Sequence, residues 1–594
     1  MSPHEEYEAR RNRWGVERQD AERLFIRIGN WRLLLGIAEA ALAYLVFGRH
    51  LIPLWLLFLP ILAFIALAVW HSRVMRRRTL ADRALRFYHR GLARLDDRWA
   101  GTGNAGDRFQ DSSHIYSGDL DLFGKGSLFE FISNTRTAAG ENTLAQWLLA
   151  PARREQVLRR QAAVEELRNR LHLREDLALL GSDVQADVHV DALHRWGTAP
   201  PVVFPAILRP LAALLGCVGV ILLFGFFAQK VPFWALAASL GINIALSYGL
   251  RSRVDQVLEA AGAPGHGLDI LSLVLARLER ESFSSPLLRD VHRQLTAEGR
   301  PASIRIAQLR RWMDWLDSSD HLLVKAIRPA VLWREQIAMG VEAWRRHSGQ
   351  HISEWLSAVA ELEALSSFAS LAFERPHWNF PVLEETGPPH FEACALQHPL
   401  LPVARSIPND VTFTDGLKLL IVSGSNMSGK STLLRAVGLN CVLAWAGAPV
   451  AAQRLRLSPL QTAASIRVTD SLLDNRSRFF AEIMRLRQIV DLTRESCSVL
   501  FLLDEVLSGT NSHDRRIGAA AILHKLVDSV AIGLVTTHDL ALARIQEDLG
   551  SGAQNVHFDD RIVDGQIEFD YRLKPGVVTH SNALELMRAV GLEV

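Results

Sequence analysis

The most specific chemical pattern in the sequence is a glycine-rich segment that ends in lysine and serine. Residues 424–431 read GSNMSGKS, which fits the pattern G-x-x-x-x-G-K-[ST] of phosphate-binding loops. The glycines of such a loop let backbone N–H groups surround phosphate oxygens, the lysine neutralises the β- and γ-phosphates, and the serine hydroxyl can bind Mg²⁺. The pattern predicts a nucleotide site formed by Gly424, Ser425, Asn426, Met427, Ser428, Gly429, Lys430, Ser431 and Thr432.

Two adjacent acidic residues lie downstream of this loop, directly after an apolar run. Residues 499–503 read VLFLL and are followed by Asp504 and Glu505. Phosphoryl transfer needs a carboxylate that holds Mg²⁺ and a second group that polarises the attacking water. We therefore expect Asp504 and Ser431 to bind Mg²⁺ and Glu505 to act on the water.

A histidine follows a third apolar run. Residues 531–535 read AIGLV and precede a Thr-Thr-His triplet that ends at His538. In isolation such a histidine is more often structural, but beside the other two patterns it could sense the γ-phosphate. We predict that Lys430, Glu505 and His538 together catalyse the hydrolysis of ATP, with Mg²⁺ as the cofactor.

Three buried strands must position these groups. The apolar run 419–423 precedes the glycine-rich loop, and a helical pattern, TLLRAVGL, follows it. The order strand, loop, helix is the one that a phosphate-binding loop requires. The carboxyl ends of parallel strands lie at one edge of a sheet, so the sequence predicts an α/β P-loop NTPase domain.

The stretch 407–538 resembles the ATPase domain of the MutS family. The matching strings are IPNDV (407–411), SGSNMSGKST (423–432), GAPV (447–450), Asp470, SRFFAE (477–482), LLDEVLSGTNSHD (502–514) and TTHD (536–539). Two later strings, NVHFD (555–559) and YRLKPG (571–576), resemble the closing segment of the same domain. The resemblance implies an ABC-like fold of the MutS type and ATP hydrolysis.

The resemblance also implies a dimer. Ser477 matches the family's signature serine, which reaches the nucleotide of the opposite subunit, and Asn409 lies in the segment that lines the adenine pocket. We therefore expect a homodimer that joins through its ATPase domains. Arg478 and Ser508 stand where the family usually has Thr and Gly, so the contacts across such a dimer would differ.

A weaker resemblance extends upstream of the ATPase domain. Residues 126–164 resemble the beginning of the family's helical core, and residues 355–376 resemble its last lever helix. No segment resembles the mismatch-reading domain with its Phe-x-Glu wedge, which inserts an aromatic ring between base steps. The nearest string, Phe87-Tyr88-His89, has the wrong third residue. We therefore expect a membrane-anchored variant of the family that lacks the mismatch-recognition domain.

Two pairs of apolar runs predict transmembrane helical hairpins. The first pair covers residues 33–47 and 51–70, and the second covers 211–228 and 233–250, with a four-residue turn between its runs. Runs of about 18 to 20 apolar residues can span a bilayer. A buried helical pair in a soluble core is the alternative for the second hairpin.

Arginine clusters predict the orientation of both hairpins. Arginines cluster at the outer ends of the runs: Arg10, Arg11, Arg13, Arg27, Arg32, Arg73, Arg76, Arg77, Arg78, Arg251 and Arg253. Because such clusters stay in the cytoplasm, we expect a multi-pass membrane protein that contacts lipid and has its helical core and ATPase domain in the cytoplasm.

Composition agrees with this organisation. The 594 residues are too many for one core, and 49% are hydrophobic. Lys and Arg number 66 against 64 Asp and Glu, a net charge of +2, so the whole chain has no basic field typical of nucleic-acid binding. The four scattered cysteines indicate neither a disulfide framework nor a zinc cluster.

The predicted domains follow these changes in pattern. They are a basic N-terminal segment (1–30), transmembrane hairpin 1 (31–72), the first part of an all-α core (73–204), transmembrane hairpin 2 (205–250), a helical lever (251–376) and the ATPase domain (377–594).

Two functions remain open. In the first, ATP-driven lever movement changes how the dimer grips DNA. The family resemblance implies DNA as the partner, in a mismatched or branched form. Alternatively, the chain could be a membrane scaffold or remodelling ATPase that acts on an unknown protein partner. Interleaved arginines and tryptophans between residues 305 and 346 could bind DNA phosphates, although packed lever helices explain the same pattern.

Overall fold

The computed structural model describes residues 1–49, 53, 58–180, 190–262, 268–296, 299–318, 322–385, 387–414, 416–425, 427–467, 478–495, 497–507, 509–538, 540–563 and 566–578. Within this part the chain forms two compact units. Unit 1 comprises Met1–Ser133, Ala145–Leu171 and Ser367–Val594, and unit 2 comprises Asn134–Leu144 and His172–Ser366.

Helices dominate the chain before residue 375. They are α1 (Pro3–Ala43), α2 (Phe58–Leu95), α3 (Leu128–Ile132), α4 (Ala138–Leu149), α5 (Arg154–Arg168), α6 (Leu171–Leu180), α7 (Val190–Thr198), α8 (Leu208–Phe227), α9 (Phe233–Gly262), α10 (Leu268–Glu279), α11 (Pro286–Thr296), α12 (Ala302–Asp317), α13 (Leu322–Val331), α14 (Trp333–Ser348) and α15 (Ile352–Glu374). A π-helical turn, Tyr44–Gly48, extends α1.

Helix α1 extends across residue 30, since a helix can change from charged to apolar composition without ending. The division between the two compact units falls within α15, after Ser366. The domain boundaries that we expect from the sequence stay a prediction.

The chain after residue 381 contains ten strands and five α-helices among the described residues. They are β1 (Val382–Leu383), β2 (Phe391–Leu396), β3 (Asn409–Phe413), β4 (Leu419–Ser423), α16 (Lys430–Ala446), β5 (Arg454–Leu457), β6 (Leu460–Ser465), α17 (Arg478–Leu492), β7 (Ser498–Asp504), α18 (Ser512–Val527), β8 (Ala531–Thr537), α19 (Leu540–Ala543), α20 (Ile545–Leu549), β9 (Ala553–Val563) and β10 (Gln566–Pro575).

The main sheet has six strands in the order β10-β9-β4-β8-β7-β6. The pairs from β9 to β6 are parallel, and β10 is antiparallel to β9. Strands β4, β7 and β8 are almost continuously apolar and buried, as expected for strands covered on both faces. A four-stranded sheet in the order β1-β5-β2-β3 lies in the same unit.

In unit 1, α1 and α2 pack side by side. Ala21, Ile28 and Val74 are buried between them. Ion pairs join Arg18 Nε to Asp82 Oδ1 at 2.5 Å and Arg78 Nε to Glu22 Oε2 at 2.7 Å. Since residue numbers fall along α2 as they rise along α1, the two helices are antiparallel.

Four helical stretches of the described chain are long and apolar enough to cross a membrane: Pro3–Gly48, Leu208–Phe227, Phe233–Ala261 and Trp333–Glu374. In the most apolar part of the first, only 6% of the residues are buried, and the value is 17% for each of the next two. The fourth is 83% buried, so protein rather than solvent covers it. Residues 51, 52 and 54–57 of the predicted run 51–70 lie outside the described residues.

Unit 2 contains α8 and α9, the second predicted hairpin, packed with α13. Helices α8 and α13 are in close contact here, since a Cβ at Gly219 would lie 2.4 Å from the carbonyl oxygen of Ala330. The Asn243 side chain is buried and donates to the same carbonyl at 3.0 Å. Leu332, with φ of 51°, separates α13 from α14. The hairpin therefore has a third helix against it.

Candidate nucleotide site

The glycine-rich loop joins β4 to α16, as the sequence predicts. Gly424 and Gly429 have φ values of 156° and 102°. A Cβ at Gly424 would lie 2.7 Å from the Ser428 hydroxyl, so this tight turn requires glycine. Helix α16 begins at Lys430, and its N-terminal N–H groups face the loop.

Lys430 lies inside this loop. Its ammonium donates to the carbonyl oxygens of Gly424 and Ser425, both at 2.8 Å. Burial lowers the pKa of the Lys430 ammonium, and the negative charges of Glu505 and Asp504 oppose that effect. The lysine and the two acids therefore act on one another electrostatically.

The two acids lie at the carboxyl end of β7, beside β8. Asp504 pairs with Thr536 across the two strands, and the Thr536 hydroxyl donates to Asp504 Oδ1. The same hydroxyl accepts a hydrogen bond from the Glu505 backbone N–H at 3.1 Å. Glu505 has a φ of 49°, which turns the chain sharply after the strand. Thr536 thus fixes the position of both acids.

His538 follows β8 and lies next to Glu505. Its Nδ1 is 3.5 Å from Glu505 Oε1, and the two side chains are 51% and 35% exposed. Because β8 lies between β4 and β7 in the sheet, the ends of these three strands are neighbours. The strand order brings together Lys430, Glu505 and His538, which are far apart in the sequence.

A buried glutamate supports the turn after the acids. Glu482 Oε1 accepts a hydrogen bond from the Leu507 backbone N–H at 2.5 Å, and Leu507 has a φ of 56°. Glu482 ends the SRFFAE string that we singled out in the sequence. Its carboxylate therefore ties α17 to the segment that follows Glu505.

A cavity of about 780 Å³ opens beside the loop. The predicted residues Asn409, Met427, Gly429, Lys430, Ser431, Thr432 and Glu505 line it. Asn409 lies at the start of β3. Its side chain donates to the Tyr571 carbonyl at 2.9 Å and accepts from the Leu573 N–H at 2.6 Å. Asn409 therefore holds β10 against this wall of the cavity.

Other residues of the wall were not predicted as site residues. Phe569 and Tyr571 of β10 line the cavity with ring centroids 5.7 Å apart, and Tyr571 has a φ of 52°. His398 also lines it, and burial lowers the pKa of this histidine to about 4, with Arg435 adding to the effect. Their aromatic character was visible in the sequence, but their approach to the loop depends on long-range pairing.

Two predicted site residues, Asn426 and Ser477, lie outside the described residues. The expected contact of Ser477 with a second subunit therefore stays a prediction.

The donors of the loop fit a triphosphate. The Ser425 and Ser428 hydroxyls are buried and have no hydrogen-bond partner among the described residues. Unpaired buried hydroxyls are costly, and phosphate oxygens would satisfy them. In the same described part, no group of three or more His, Cys, Asp and Glu residues could hold a metal ion. Mg²⁺ usually needs only one or two protein ligands when phosphates bind it as well, so Ser431 and Asp504 suit it.

Two of the interleaved arginines and tryptophans of unit 2, Trp344 and Arg345, are buried, whereas Trp315, Arg311 and Arg346 are exposed. Trp344 is buried, stacks on Trp196 with ring centroids 5.9 Å apart, and donates to the Arg305 carbonyl at 2.7 Å. Arg345 is also buried and pairs with Glu342 at 2.9 Å. These side chains support the helical packing that we considered as the alternative to a DNA surface.

Two family models match the chain. MutS domain III matches residues 113–191, and MutS domain V matches residues 420–593. The second match contains the loop, both acids and His538.

Curated relatives show the same relationship. "DNA mismatch repair protein MutS 2" of Halobacterium salinarum is 30% identical over 282 residues, which cover 47% of this chain and 32% of the relative. "DNA mismatch repair protein MutS" of Listeria monocytogenes is 28% identical over 278 residues, or 46% and 32% of the two chains. The chain thus spans about a third of the length of these relatives. Residues 113–191 and 420–593 of the chain are thus similar to domains III and V of the MutS family.

Proposed function

We propose that this chain hydrolyses ATP with Mg²⁺ at the described cavity. The observation that carries the proposal is the meeting of Lys430, Glu505 and His538 at adjacent strand ends. Lys430 and the loop N–H groups would bind the phosphates, and Ser431 and Asp504 would hold Mg²⁺, which when bound supplies charge neutralisation at the phosphates. Glu505 orients and polarises the water, and His538, beside Glu505, contacts the γ-phosphate.

The base of the nucleotide fits the opposite wall of the cavity. Phe569 and Tyr571 supply aromatic rings, and Asn409 fixes the strand that carries them. Aromatic rings bind a planar base by stacking. We further propose that Ser477 completes this site in a second subunit, so that hydrolysis occurs in a homodimer.

We propose that exposed apolar helices anchor the protein in a membrane. Leu33, Leu34 and Ile37 of α1 are more than half exposed, as are Ile221 and Phe224 of α8. Such surfaces are costly in water and favourable in lipid. The arginines at the outer ends of the apolar runs then place the catalytic unit and the helical core in the cytoplasm.

DNA is the first candidate for the partner, since the relatives named above are DNA mismatch repair proteins. Nucleotide-driven movement of the helical core would change the grip on mismatched or branched DNA. The second candidate is a membrane protein that the ATPase remodels or scaffolds. The burial of Trp344 and Arg345 makes these two side chains unavailable to DNA, while Trp315, Arg311 and Arg346 remain exposed, so the surface alone does not decide between the two candidates.

Steady-state ATP turnover of the full chain in lipid nanodiscs tests the proposal. We expect Mg²⁺-dependent turnover that falls at least about a hundredfold in Glu505→Gln, which keeps the size of the side chain but removes the carboxylate. Titration with homoduplex, mismatched, branched and single-stranded DNA then separates the partners. Stimulation by one DNA class supports the first, and stimulation by membrane extract alone supports the second. Turnover that is absent from the wild type, or equal in Glu505→Gln, would refute the proposed hydrolysis.

A further inference from the structure

The turn after α2 holds a carboxylate with two distant partners. Asp97 has a φ of 55°, and its side chain is 21% exposed. Asp97 Oδ1 accepts a hydrogen bond from Arg375 Nη2 at 2.8 Å, and Oδ2 accepts one from the Val403 backbone N–H at 3.1 Å. One side chain therefore joins the end of α2 to the segment after α15 and to a loop near residue 403.

On one side, this carboxylate belongs to a buried ionic cluster that holds α1 and α2. Arg94 of α2 makes two hydrogen bonds to Glu374, with Nε to Oε2 at 2.6 Å and Nη2 to Oε1 at 2.5 Å. Tyr7 of α1 donates to Glu374 Oε1 at 3.1 Å. Arg375 donates to the Arg94 carbonyl at 2.8 Å. All four side chains are buried, so the helix pair is tightly fixed at this end.

On the other side, Asp97 holds a loop that forms one wall of the nucleotide cavity. We call residues 398–406 the pocket loop. Its backbone closes on itself, since the N–H groups of Arg405 and Ser406 donate to the Pro402 carbonyl at 2.9 and 3.0 Å. The cavity lining includes Leu401, Ala404, Arg405 and Ser406 from this loop.

Val403 lies in the middle of this loop, and Asp97 binds its backbone from outside the cavity. A shift of Asp97 would therefore move the wall without touching the nucleotide.

We infer that Asp97 is a positioning residue that couples the helix pair α1–α2, which carries the proposed membrane segment, to the nucleotide site. This inference rests on the proposed function, because it requires that ATP binds the cavity and that the apolar part of α1 lies in the membrane. Helix α2 ends at Leu95, two residues before Asp97. Movement of the helix pair is passed through the carboxylate to the pocket loop. Linkage then requires that ATP, in turn, stabilises the end of α2.

The experiment compares Asp97→Ala with Asp96→Ala in the full chain in lipid nanodiscs. Asp96 is the neighbouring acid on the same turn, but it pairs with His4 at 3.3 Å and Arg98 at 2.7 Å, not with the pocket loop. The two variants lose the same charge. We expect Asp97→Ala to raise the KM for ATP about three- to tenfold, with kcat within about twofold of the wild type. Asp96→Ala should leave both constants unchanged.

Hydrogen exchange gives a readout that overall destabilisation would not reproduce. Peptides covering residues 400–408 should exchange faster in Asp97→Ala than in Asp96→Ala, while peptides from β7 and β8 remain equal in the two variants. Adding ATP should slow exchange at residues 92–98 of the wild type but not of Asp97→Ala.

Two outcomes would contradict the inference. One is an unchanged KM in Asp97→Ala together with unchanged exchange at residues 400–408. The other is an equal change in Asp96→Ala, which would indicate a general charge effect. Failure of the proposed function has a different signature, since the wild type itself would then neither bind nor hydrolyse ATP.

Discussion

Thr536 acts on both acids of the site through one hydroxyl group. The hydroxyl hydrogen is donated to Asp504, and a lone pair accepts the backbone N–H of Glu505. Thr536 is fully buried, so water cannot replace either bond. The single hydroxyl therefore sets the geometry of both Asp504, the proposed Mg²⁺ ligand, and Glu505, the residue proposed to act on water.

Replacement of Thr536 by valine should separate the chemistry from nucleotide binding. Thr536→Val keeps the shape of the side chain but leaves Asp504 and the Glu505 N–H without this partner. We expect kcat to fall about tenfold and the Mg²⁺ concentration at half-maximal turnover to rise. The reason is that an unmade buried hydrogen bond costs about 1–3 kcal/mol. ATP affinity measured without Mg²⁺ should not change. Thr536→Ser restores the hydroxyl and should recover most of kcat, whereas equal losses in both variants would contradict this role.

His398 makes the stability of the protein depend on pH. Its Nδ1 accepts a hydrogen bond from the Leu400 N–H at 3.2 Å, and burial lowers its pKa from 6.5 to about 4. The unfolded chain therefore binds a proton between these two values, while the folded chain does not. The contribution of neutral His398 to the free energy of unfolding is fully present above about pH 6.5 and is lost as the pH falls towards 4. The loss is on the order of 3 kcal/mol.

Denaturant unfolding between pH 7.5 and 4.5 tests this effect. We expect the free energy of unfolding of the wild type to fall more steeply with acidification than that of His398→Asn, which cannot take up the proton. Parallel curves for the two proteins would show that His398 does not titrate in this way.

Local spacing was enough to predict several of the residues that the fold brings together here. The loop 424–432, Asp504, Glu505 and His538 each stand at the end of an apolar run, and strands with that composition meet in one sheet. The sequence did not predict Thr536, His398 or Tyr571 as site residues. Their roles depend on cross-strand register and on loops that approach from far along the chain, which no short pattern records.

At the scale of elements, the contact between α8 and α13 depends on glycine at position 219, which has no side chain. Gly219 faces the Ala330 carbonyl so closely that a methyl group would lie 2.4 Å from it. Gly241, on the neighbouring helix α9, has no heavy atom within 4 Å of the corresponding position. The two glycines have the same helical setting but opposite surroundings.

Alanine at these two positions should therefore have opposite effects. We expect Gly219→Ala to lower the thermal unfolding midpoint in nanodiscs by several degrees, because α8 must move away from α13. Gly241→Ala should leave the midpoint unchanged or raise it, since alanine favours a helix by up to about 1 kcal/mol over glycine. Equal midpoints for the two variants would mean that α8 and α13 do not pack at this distance.

The sequence predicted the α8–α9 pair but not its third helix. Residues 322–331 have an apolar pattern that we assigned to the lever, and they contain Lys325, Arg328 and Pro329. Pro329 disfavours the interior of a helix, and Lys325 and Arg328 disfavour a membrane-spanning segment. The fold overrides them, since Asn243 and Gly219 both require Ala330 as a neighbour.

At the scale of the whole molecule, the proposed topology predicts which thiols can be reached from outside a cell. Lys230 follows α8, in the turn before α9, and Cys497 is exposed in the unit that carries the nucleotide site. In a background with Cys217→Ser and Cys394→Ser, an impermeant maleimide should label the thiol of Lys230→Cys in intact cells. Cys497 should be labelled only after permeabilisation. Labelling of Cys497 in intact cells would reverse the topology.

The two carbonyl groups that bind Lys430 have a consequence for the choice of ligand. Two of the three ammonium hydrogens already bind the carbonyls of Gly424 and Ser425, so a phosphate can use the third directly and must displace a carbonyl to engage more than one. The net gain is the difference between a charge-assisted bond to phosphate and the bonds that are given up. A ligand with a single phosphate recovers little of this cost, whereas a triphosphate also engages the loop N–H groups and hydroxyls. Under the proposed function, Lys430 therefore favours ligands with several phosphates, independently of their base.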